Sequence, residues 1–257
     1  SFGSGKSTTL RLLAGNLSPS TGEVFILGFN SKINAKEIKS RVGFMPEQNG
    51  FDYELSAMDN LIIYGSYFNL SQPQVRSRSR HLLRLLQLDE FNHSPVSTLN
   101  SSQQRRLALA LALLIDPKVL ILDMPTQGLS LFEKKWLWKL IKEQIGNRRI
   151  TIIASNDLNE VEKVSDEVLI LHQGKVVSQG SPQELIQNNV GKKVVEYNVP
   201  DHDLEYHLRA LEKKYQYQML AQKLKIFIPE HVDAMTTLRW VPSETVVYRD
   251  ACLSDVF

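Results

Sequence analysis

The first residues of the chain have the types and spacing of a loop that holds phosphate groups. Residues 3–8 read Gly3-Ser4-Gly5-Lys6-Ser7-Thr8, which combines two glycines, a lysine and three hydroxyl side chains. Glycines let the backbone curl so that its N–H groups point at phosphate oxygens, and a following helix adds the positive end of its dipole. In such a loop Lys6 reaches the β- and γ-phosphates, and the Ser7 hydroxyl is placed to bind Mg²⁺. These residues therefore predict a nucleotide-binding loop.

The start of this motif lies at the very beginning of the chain. The full pattern is G-x-x-x-x-G-K-[ST], and its first glycine would fall one position before Ser1. The strand that should lead into the loop is missing too, so we expect a chain that begins inside the motif, as a fragment or with a wrongly placed or degenerate start.

The elements that position this loop can be read from hydrophobic patterning. Six β-branched or aliphatic runs are predicted as strands, at residues 24–27, 42–45, 119–122, 150–154, 168–171 and 175–177. Several of them are apolar without alternation, as expected of strands covered on both faces. Helical patterns lie between them, at residues 6–14, 74–87, 103–114, 132–144 and 158–164. This alternation predicts an α/β core with a mostly parallel sheet.

Two further regions are set apart from this core by their patterns. Residues 56–114 read as almost wholly helical and are predicted to form a helical insert. Ser181-Pro182 supplies the N-cap and first-turn proline of a short helix that ends near Gly191. The runs that follow are predicted as strands at 192–197, 224–228 and 245–248 around a helix at 204–215. We therefore expect a nucleotide-binding domain of residues 1–185 and an appended α+β unit of residues 186–257.

Composition and charge argue against several classes of protein. The 30 basic and 28 acidic residues nearly cancel, so the broad positive field of a nucleic-acid-binding protein is not expected, and the arginine-rich run at 76–84 is interpreted as a solvated helix face. The longest apolar stretch, residues 107–115, is far short of the ~20 residues that a membrane helix needs, and predicts a buried helix instead. The chain opens without a secretory leader, and the lone Cys252 fits a reducing compartment. A soluble cytoplasmic protein is expected.

Five segments follow the phosphate loop in a fixed order. They are VGFMPEQ at 42–48, LNSSQQRR at 99–106, VLILDMPTQGLS at 119–130, IIASNDL at 152–158 and GKVVSQG at 174–180. Together with the loop they resemble the Walker A, glutamine-loop, signature, Walker B with D-loop, and switch-histidine segments of the ATP-binding cassette (ABC) domain. The resemblance covers residues 1–185. The closing residues 252–257, CLSDVF, resemble the end of the drug-resistance and nodulation-factor exporter ATPases.

This resemblance implies a fold, cofactors and partners. The fold is a P-loop NTPase core that binds ATP and Mg²⁺. Such domains work as head-to-tail pairs, so a second nucleotide-binding domain, in a homo- or heterodimer, is implied. The pair drives a separate membrane permease of the ABC-2 type, which the glutamine loop and the helical insert would touch. The chain would therefore lie peripherally on the inner face of the cell membrane.

The resemblance also assigns roles to particular residues. Asp123 follows four apolar residues at a strand end, where a carboxylate can hold Mg²⁺ through water, together with Ser7. Gln48 is preferred over its neighbour Glu47 as the glutamine-loop residue that approaches Mg²⁺ or the attacking water, because a carboxylate near triphosphate is repelled unless metal intervenes. The signature residues that would face the partner's ATP are Asn100, Ser101, Ser102 and Gln103, of which Asn100 and Gln103 also form an ordinary helix-start signal.

Several positions depart from the family pattern. Met124 replaces the catalytic glutamate, and a thioether cannot take a proton from water. Asn156 replaces the switch histidine; its amide can bind a γ-phosphate but cannot titrate, and it or Asp157 equally suits the cap of the next helix. Ser130 replaces the D-loop aspartate. Two hypotheses remain open: an exporter subunit that hydrolyses ATP slowly, and a non-hydrolysing ATP-binding pseudoenzyme or decayed subunit. A soluble cassette acting on ribosomes or DNA is not favoured, since neither a tandem cassette nor a long basic linker is present.

Overall fold

The computed structural model describes residues 3–145, 149–199, 204–211, 215–220, 223–229 and 246–256. The chain forms two compact units. The first is Ser1–Asn156 with His172–Gly174, and the second is Asp157–Leu171 with Lys175–Phe257. The domain boundary near residue 185 stays a prediction. Among the described residues, every helix is too short or too polar to cross a bilayer.

The first unit is built on a parallel sheet. Its helices are α1 (Lys6–Leu13), α2 (Ala35–Lys39), α3 (Ala57–Ser66), α4 (Gln72–Leu85), α5 (Ser101–Leu113) and α6 (Leu131–Leu140), and its strands are β1 (Phe25–Ile26), β2 (Phe29–Asn30), β3 (Val42–Met45), β4 (Val119–Asp123) and β5 (Ile150–Ala154). Strands β3, β4 and β5 pair in parallel in that order, which confirms the predicted parallel core. The predicted strand at 24–27 differs: only β1 forms there, and it pairs antiparallel with β2.

Strand β4 lies at the centre of three layers, and all five of its residues are buried. Val119 and Ile121 pack on one face in the cluster that contains Leu10 of α1. Leu120 and Leu122 pack on the other face, in the cluster formed largely by α3, α4 and α5. This alternation follows from the pleat, which sends successive side chains to opposite faces. The unbroken apolar pattern of residues 119–122 is thus explained by helices on both faces.

The segment from 56 to 114 contains helices α3, α4 and α5, with loops and short 3₁₀ turns between α4 and α5, and it packs closely on the sheet. Its description as a separate insert stays a prediction. A Cβ atom at Gly43 of β3 would lie 2.1 Å from the carbonyl oxygen of Ala112 in α5, so only glycine allows this approach. A Cβ atom at Gly65 of α3 would lie 2.6 Å from Val75 of α4. The predicted buried helix at 107–115 is confirmed, since Leu107, Leu109 and their neighbours in α5 are buried.

The second unit is α+β. Its elements are α7 (Leu158–Val164), β6 (Val168–His172), β7 (Lys175–Gly180), α8 (Pro182–Asn189), β8 (Lys193–Asn198), α9 (Leu204–Leu211), β9 (Gln216–Leu220), β10 (Lys223–Ile228) and β11 (Val247–Asp250). Strands β6 and β7 form a pair, and the other four form an antiparallel sheet in the order β11-β8-β10-β9. Ser181 caps α8, as predicted. Strand β9 was not predicted, and residues 212–214 and 245 of the predicted elements lie outside the described residues.

Buried charges hold the end of the chain against this sheet. The Arg249 guanidinium donates to both carboxylate oxygens of Asp255, at 2.6 and 2.7 Å, and to Glu196 Oε1 at 2.9 Å. Lys225 Nζ lies 3.1 Å from Asp255 Oδ1. Burial alone would raise the pKa of Asp255, but the hydrogen bonds from Arg249 and Cys252 hold that pKa well below its usual range. The Asp255 carboxylate therefore stays ionised, and its bonds fix the closing residues to the sheet.

Candidate functional site

The carboxyl ends of three parallel strands bring the predicted site residues to one edge of the sheet. Asp123, at the end of β4, pairs in register with Ala154, at the end of β5. Glu47 follows β3, and Asn156 follows β5. Helix α1 contacts both β4 and β5, so the loop that precedes α1 lies at the same sheet. In open α/β sheets this edge is where ligands bind.

The phosphate loop has the curled backbone that its glycines predict. Gly3 and Gly5 have φ angles of +75° and +96°, in the left-handed region. Gly5 is the N-cap of α1, and no side chain caps the helix, so the N–H groups of its first turn face the loop. Ser4 is buried, and its hydroxyl accepts a hydrogen bond from Lys6 Nζ at 3.1 Å. Thr8 is exposed on the first turn of α1. This arrangement suits an anion at the helix start.

The Ser4 carbonyl is held from a distant part of the sequence. The N–H of Gly174, in the turn between β6 and β7, donates to the Ser4 carbonyl oxygen at 3.1 Å. A Cβ atom on Gly5 would lie 3.5 Å from the Gly174 Cα atom, so the two glycines lie in contact. Gly174 therefore contacts the phosphate loop, which sequence reasoning missed.

Asp123 and Ser7 form the pair of groups that suits Mg²⁺. Asp123 is only 1% exposed, and it accepts a hydrogen bond from the Ser7 side chain. Its Oδ1 atom is buried and has no hydrogen-bond partner among the described residues. Burial raises the pKa of Asp123 above its ordinary value, and Ser7 and the positive charges of Arg11 and Arg105 oppose this rise. A buried, unpartnered carboxylate oxygen beside a serine hydroxyl fits a divalent cation, because Mg²⁺ needs few protein oxygens when phosphates supply others.

Arg105 of α5 joins the backbone of the loop after β3 to the backbone at the end of β4, where Asp123 lies. It is 6% exposed, and its guanidinium donates to five acceptors from two loops. On one side these are Pro46 O at 3.1 Å, Glu47 O at 2.9 Å and Asn49 Oδ1 at 3.2 Å, and on the other Asp123 O at 3.0 Å and Met124 O at 2.7 Å. Burial lowers the pKa of Arg105, whereas the negative charges of Asp123 and Glu47 raise it. An arginine stays charged in this setting, so it supplies a fixed positive charge beside the site.

Sequence reasoning missed Arg105. Its only signal is a charged residue at the start of an apolar helix, where the next residue, Arg106, has the same type. In the structure Arg106 lies over the Trp136 ring, 5.6 Å from its centre, and donates to Leu86 O. Pattern alone does not distinguish the two arginines, because the loops that surround Arg105 come together only in the fold.

Glu47 and Gln48, the two candidates for the glutamine-loop residue, are both exposed after β3. The charge of Glu47 raises the pKa of Asp123, which places Glu47 within electrostatic range of that carboxylate. The preference for Gln48 as a metal-approaching residue stays a prediction.

Met124 is held in an unusual backbone conformation at the position of the family's catalytic glutamate. Its φ angle is +49°, which is uncommon for a residue other than glycine. Its N–H donates to Ala154 O at 2.9 Å, and its carbonyl accepts from Arg105. The backbone is thus fixed on both sides, and strained conformations of this kind concentrate at functional sites. The Met124 side chain itself has no proton-accepting group.

Asn156 and Asp157 have separate roles after β5. Asp157 is the N-cap of α7, and its Oδ1 atom accepts from the N–H of Glu160 at 3.2 Å. The capping role therefore belongs to Asp157, whereas Asn156 is exposed in the loop between the strand and the cap. The assignment of Asn156 to a γ-phosphate stays a prediction.

The signature segment begins helix α5, as its helix-start signal predicts. Asn100 is the N-cap: its side chain accepts from the N–H of Gln103 at 2.9 Å, and Gln103 accepts from the N–H of Asn100 at 2.8 Å. Ser101 is exposed and Ser102 is buried. Both end residues of the segment are thus used within their own helix start. Contact of these four residues with a partner's ATP stays a prediction.

Ser130, at the position of the D-loop aspartate, caps helix α6 together with Glu133. The Ser130 hydroxyl and N–H donate to Glu133 Oε2 at 2.7 and 2.9 Å, and the Glu133 N–H donates back to the hydroxyl. The Ser102 and Ser130 side chains lower the pKa of Glu133 to about 2. The spacing S-x-x-E was a readable signal for this capping box.

Glu133 is expected to stabilise the fold in a way that depends on pH. The Glu133→Ala variant should unfold with a free energy lower by about 0.5–1 kcal/mol at pH 7, the range of one helix cap. Because the pKa is lowered from 4.5 to about 2 on folding, this difference is complete above pH 4.5 and shrinks as the pH falls toward 2. Urea unfolding at pH 7 and pH 3 measures it. Glu133→Gln keeps the box without a titrating group, so its stability relative to Glu133→Ala should not change with pH. An equal loss for Glu133→Ala at both pH values would contradict the assignment.

Comparison with known proteins agrees with this arrangement. The family model described as ABC transporter matches residues 1–127. The Nod factor export ATP-binding protein I of Cupriavidus metallidurans is 30% identical over 256 residues, which are 99% of this chain and 84% of that protein. The protein of the same name from Rhizobium johnstonii is 27% identical over 99% of this chain and 82% of its own length.

Solved structures show the same fold. A dimeric ATP-binding cassette in a post-hydrolysis state, bound to ADP and phosphate, matches with a TM-score of 0.64 and 23% identity, over 69% of this chain and 81% of that one. An ATP-binding subunit of an ABC transporter matches with the same TM-score and identity, over 72% and 77%. The sequence similarity covers almost the whole chain, and the fold agrees with it. The chain belongs to the ABC transporter family, among its ATP-binding subunits.

Proposed function

We propose that this protein couples the binding of Mg²⁺-ATP, with slow hydrolysis, to export through a separate membrane permease. The observation that carries the proposal is the buried Asp123 carboxylate, which has an unpartnered oxygen and lies beside Ser7 at the start of α1. Lys6 and the N–H groups of the glycine-curled loop would bind the phosphates, while Ser7 and Asp123 would hold Mg²⁺. The ion would offset the negative charge of the phosphates next to Asp123 and Glu47.

Slow hydrolysis follows from two side chains. Met124 has no group that accepts a proton, and Asn156 cannot change its protonation state as histidine does. Loss of a general base typically lowers the rate of the chemical step by ~10²–10⁴. It does not remove the groups that would bind the nucleotide. A non-hydrolysing ATP-binding module is the second candidate, and the same Met124 supports it.

The permease would dock on a groove of the first unit. The groove measures about 310 Å³. Its lining includes Pro46, Asn49 and Phe51 after β3 and Tyr64 and Phe68 of the helical insert, together with residues of α2, β3 and α5 and residues just after α1. These two segments are the ones that the family resemblance assigns to permease contact. An apolar, aromatic lining suits the insertion of a protein segment.

Two of these chains, or one chain and a related partner, would form the working unit. The solved cassette that matches this fold is a dimer. In such a pair the signature residues 100–103 of one chain would face the ATP bound by the other. The export role is inferred from the relatives, which are Nod factor export ATP-binding proteins. The transported compound is left open. The chain would act peripherally, at the inner face of the membrane.

The Lys6→Ala variant tests nucleotide binding. We expect at least a tenfold loss of Mg²⁺-ATP affinity, because a charge-assisted hydrogen bond contributes about 1.5–3 kcal/mol. Isothermal titration with Mg²⁺-ATP measures the affinity, and Lys36→Ala, which removes an exposed lysine from α2, is the control. An unchanged affinity in Lys6→Ala would show that the phosphate loop is not used.

A further inference from the structure

Helix α4 presents a row of arginines that the proposed function does not use. Arg76, Arg80 and Arg84 are spaced four residues apart, so they lie on one face of the helix, and α4 contains no acidic residue. All three are exposed, and none has an ion pair or hydrogen bond with a described residue. Like charges four apart each cost a helix about 0.2–0.5 kcal/mol. The row therefore acts against its own helix, and no ion pair with a described residue offsets this cost.

The fourth arginine of this helix has a different environment. Arg78 is partly buried, and its guanidinium donates to the carbonyl oxygen of Leu114 at 3.1 Å. Helix α4 thus uses one arginine for packing within the insert. The three-arginine row needs another explanation.

The row lines a cavity together with the segment that follows the helix. The cavity measures about 170 Å³, and the remaining lining residues are Met58, Asp89, Asn92 and His93. Three guanidinium groups against the single carboxylate of Asp89 give this cavity a net positive charge. The Oδ1 atom of Asn92 is buried and has no partner among the described residues. A ligand hydroxyl or a water would satisfy it.

We propose that this cavity binds a phosphate-class anion, either free phosphate or the phosphate of a lipid headgroup. Arginine is suited to this chemistry because its planar fork donates two parallel hydrogen bonds to one phosphate. All lining residues belong to the segment 56–114, so the site is separate from the phosphate loop. The volume is several times the ~30 Å³ that a water occupies in the liquid, so a small anion enters with some of its hydration water.

The proposal is tested by removing charge from the row. The variant is Arg80→Gln/Arg84→Gln, made in a Lys6→Ala background so that phosphate does not bind at the phosphate loop. The matched control in the same background is Lys135→Gln/Lys139→Gln, which removes two exposed charges four residues apart from α6. Thermal unfolding is followed with inorganic phosphate against sodium chloride at equal ionic strength. Cosedimentation with phosphatidylcholine vesicles, with and without phosphatidylglycerol, forms the second arm.

The expected result is binding that depends on the row and not on total charge. Phosphate should raise the Tm of the Lys6→Ala parent and of the control, and the arginine variant should lose at least tenfold in phosphate affinity. If only free phosphate binds, the ligand is a soluble anion. Row-dependent binding to phosphatidylglycerol vesicles, competed by phosphate, identifies a lipid headgroup. Loss of binding by the lysine control to the same extent, or no binding in either arm, would overturn the proposal.

Discussion

Replacing Met124 with glutamate and Asn156 with histidine together is expected to raise the steady-state ATPase rate at least tenfold. The backbone of Met124 is fixed by its bonds to Ala154 and Arg105, so a glutamate would start from the same position beside Asp123. A positioned general base supplies ~10²–10⁴ in rate, which corresponds to roughly 3–5 kcal/mol of barrier. The altered signature residues remain in this variant, so the lower part of that range is expected.

The control variant carries glutamine at position 124, which has the size of glutamate but no carboxylate to act as a base. The pair Met124→Gln and Asn156→His should bind Mg²⁺-ATP as the active pair does and show no gain in rate. Phosphate release at saturating Mg²⁺-ATP measures the rate, and titration with Mg²⁺-ATP confirms binding. If the glutamate pair binds ATP but gains no activity, the slow-enzyme hypothesis is wrong and the non-hydrolysing module remains.

The sequence was most informative where local pattern and long-range packing agree. The apolar run at 119–122 has a simple physical reading as a buried strand, and the neighbouring strands pair with it in parallel as predicted. The phosphate loop was predictable in detail because its glycines are required by the backbone itself: both adopt positive φ angles. The caps at Asn100 and Ser181 follow from hydrogen bonds within four residues.

Prediction failed where strands are short and where contacts join residues far apart in the chain. Strands β1 and β2 are two residues each, and their turn at Leu27-Gly28, with positive φ at both positions, was the only available signal. Strand β9 alternates polar and apolar residues over only five positions, and its pairing with β10 places it in the sheet. The contact of Gly174 with Ser4 and the five acceptors of Arg105 likewise have no local signature, since they arise from the meeting of separate loops.

Arg105 is the second position at which a large effect is expected. The Arg105→Met variant should lower the free energy of unfolding by about 3 kcal/mol, because it removes charge-assisted hydrogen bonds to one buried and several partly buried acceptors. For a chain of this size the loss corresponds to a fall in Tm of roughly 6–12 °C. Thermal melting measures it. Arg78→Met is the matched control, since Arg78 donates to one carbonyl only, and a loss of about 1 kcal/mol is expected there.

The Arg105→Lys variant separates positioning from packing. A lysine keeps the positive charge, but its compact ammonium cannot span the carbonyls of Glu47 and of Asp123, which the arginine fork bridges. If this bridge positions the Asp123 carboxylate, the variant should lose about tenfold in affinity for Mg²⁺-ATP while its affinity for ATP in EDTA is unchanged. Titrations with and without Mg²⁺ make this comparison directly, with Arg78→Lys as the control. Equal Mg²⁺-ATP binding by Arg105→Lys and the unmodified protein would limit Arg105 to stabilising the packing of α5, because a purely structural arginine has no reason to act on the magnesium-dependent part of the affinity.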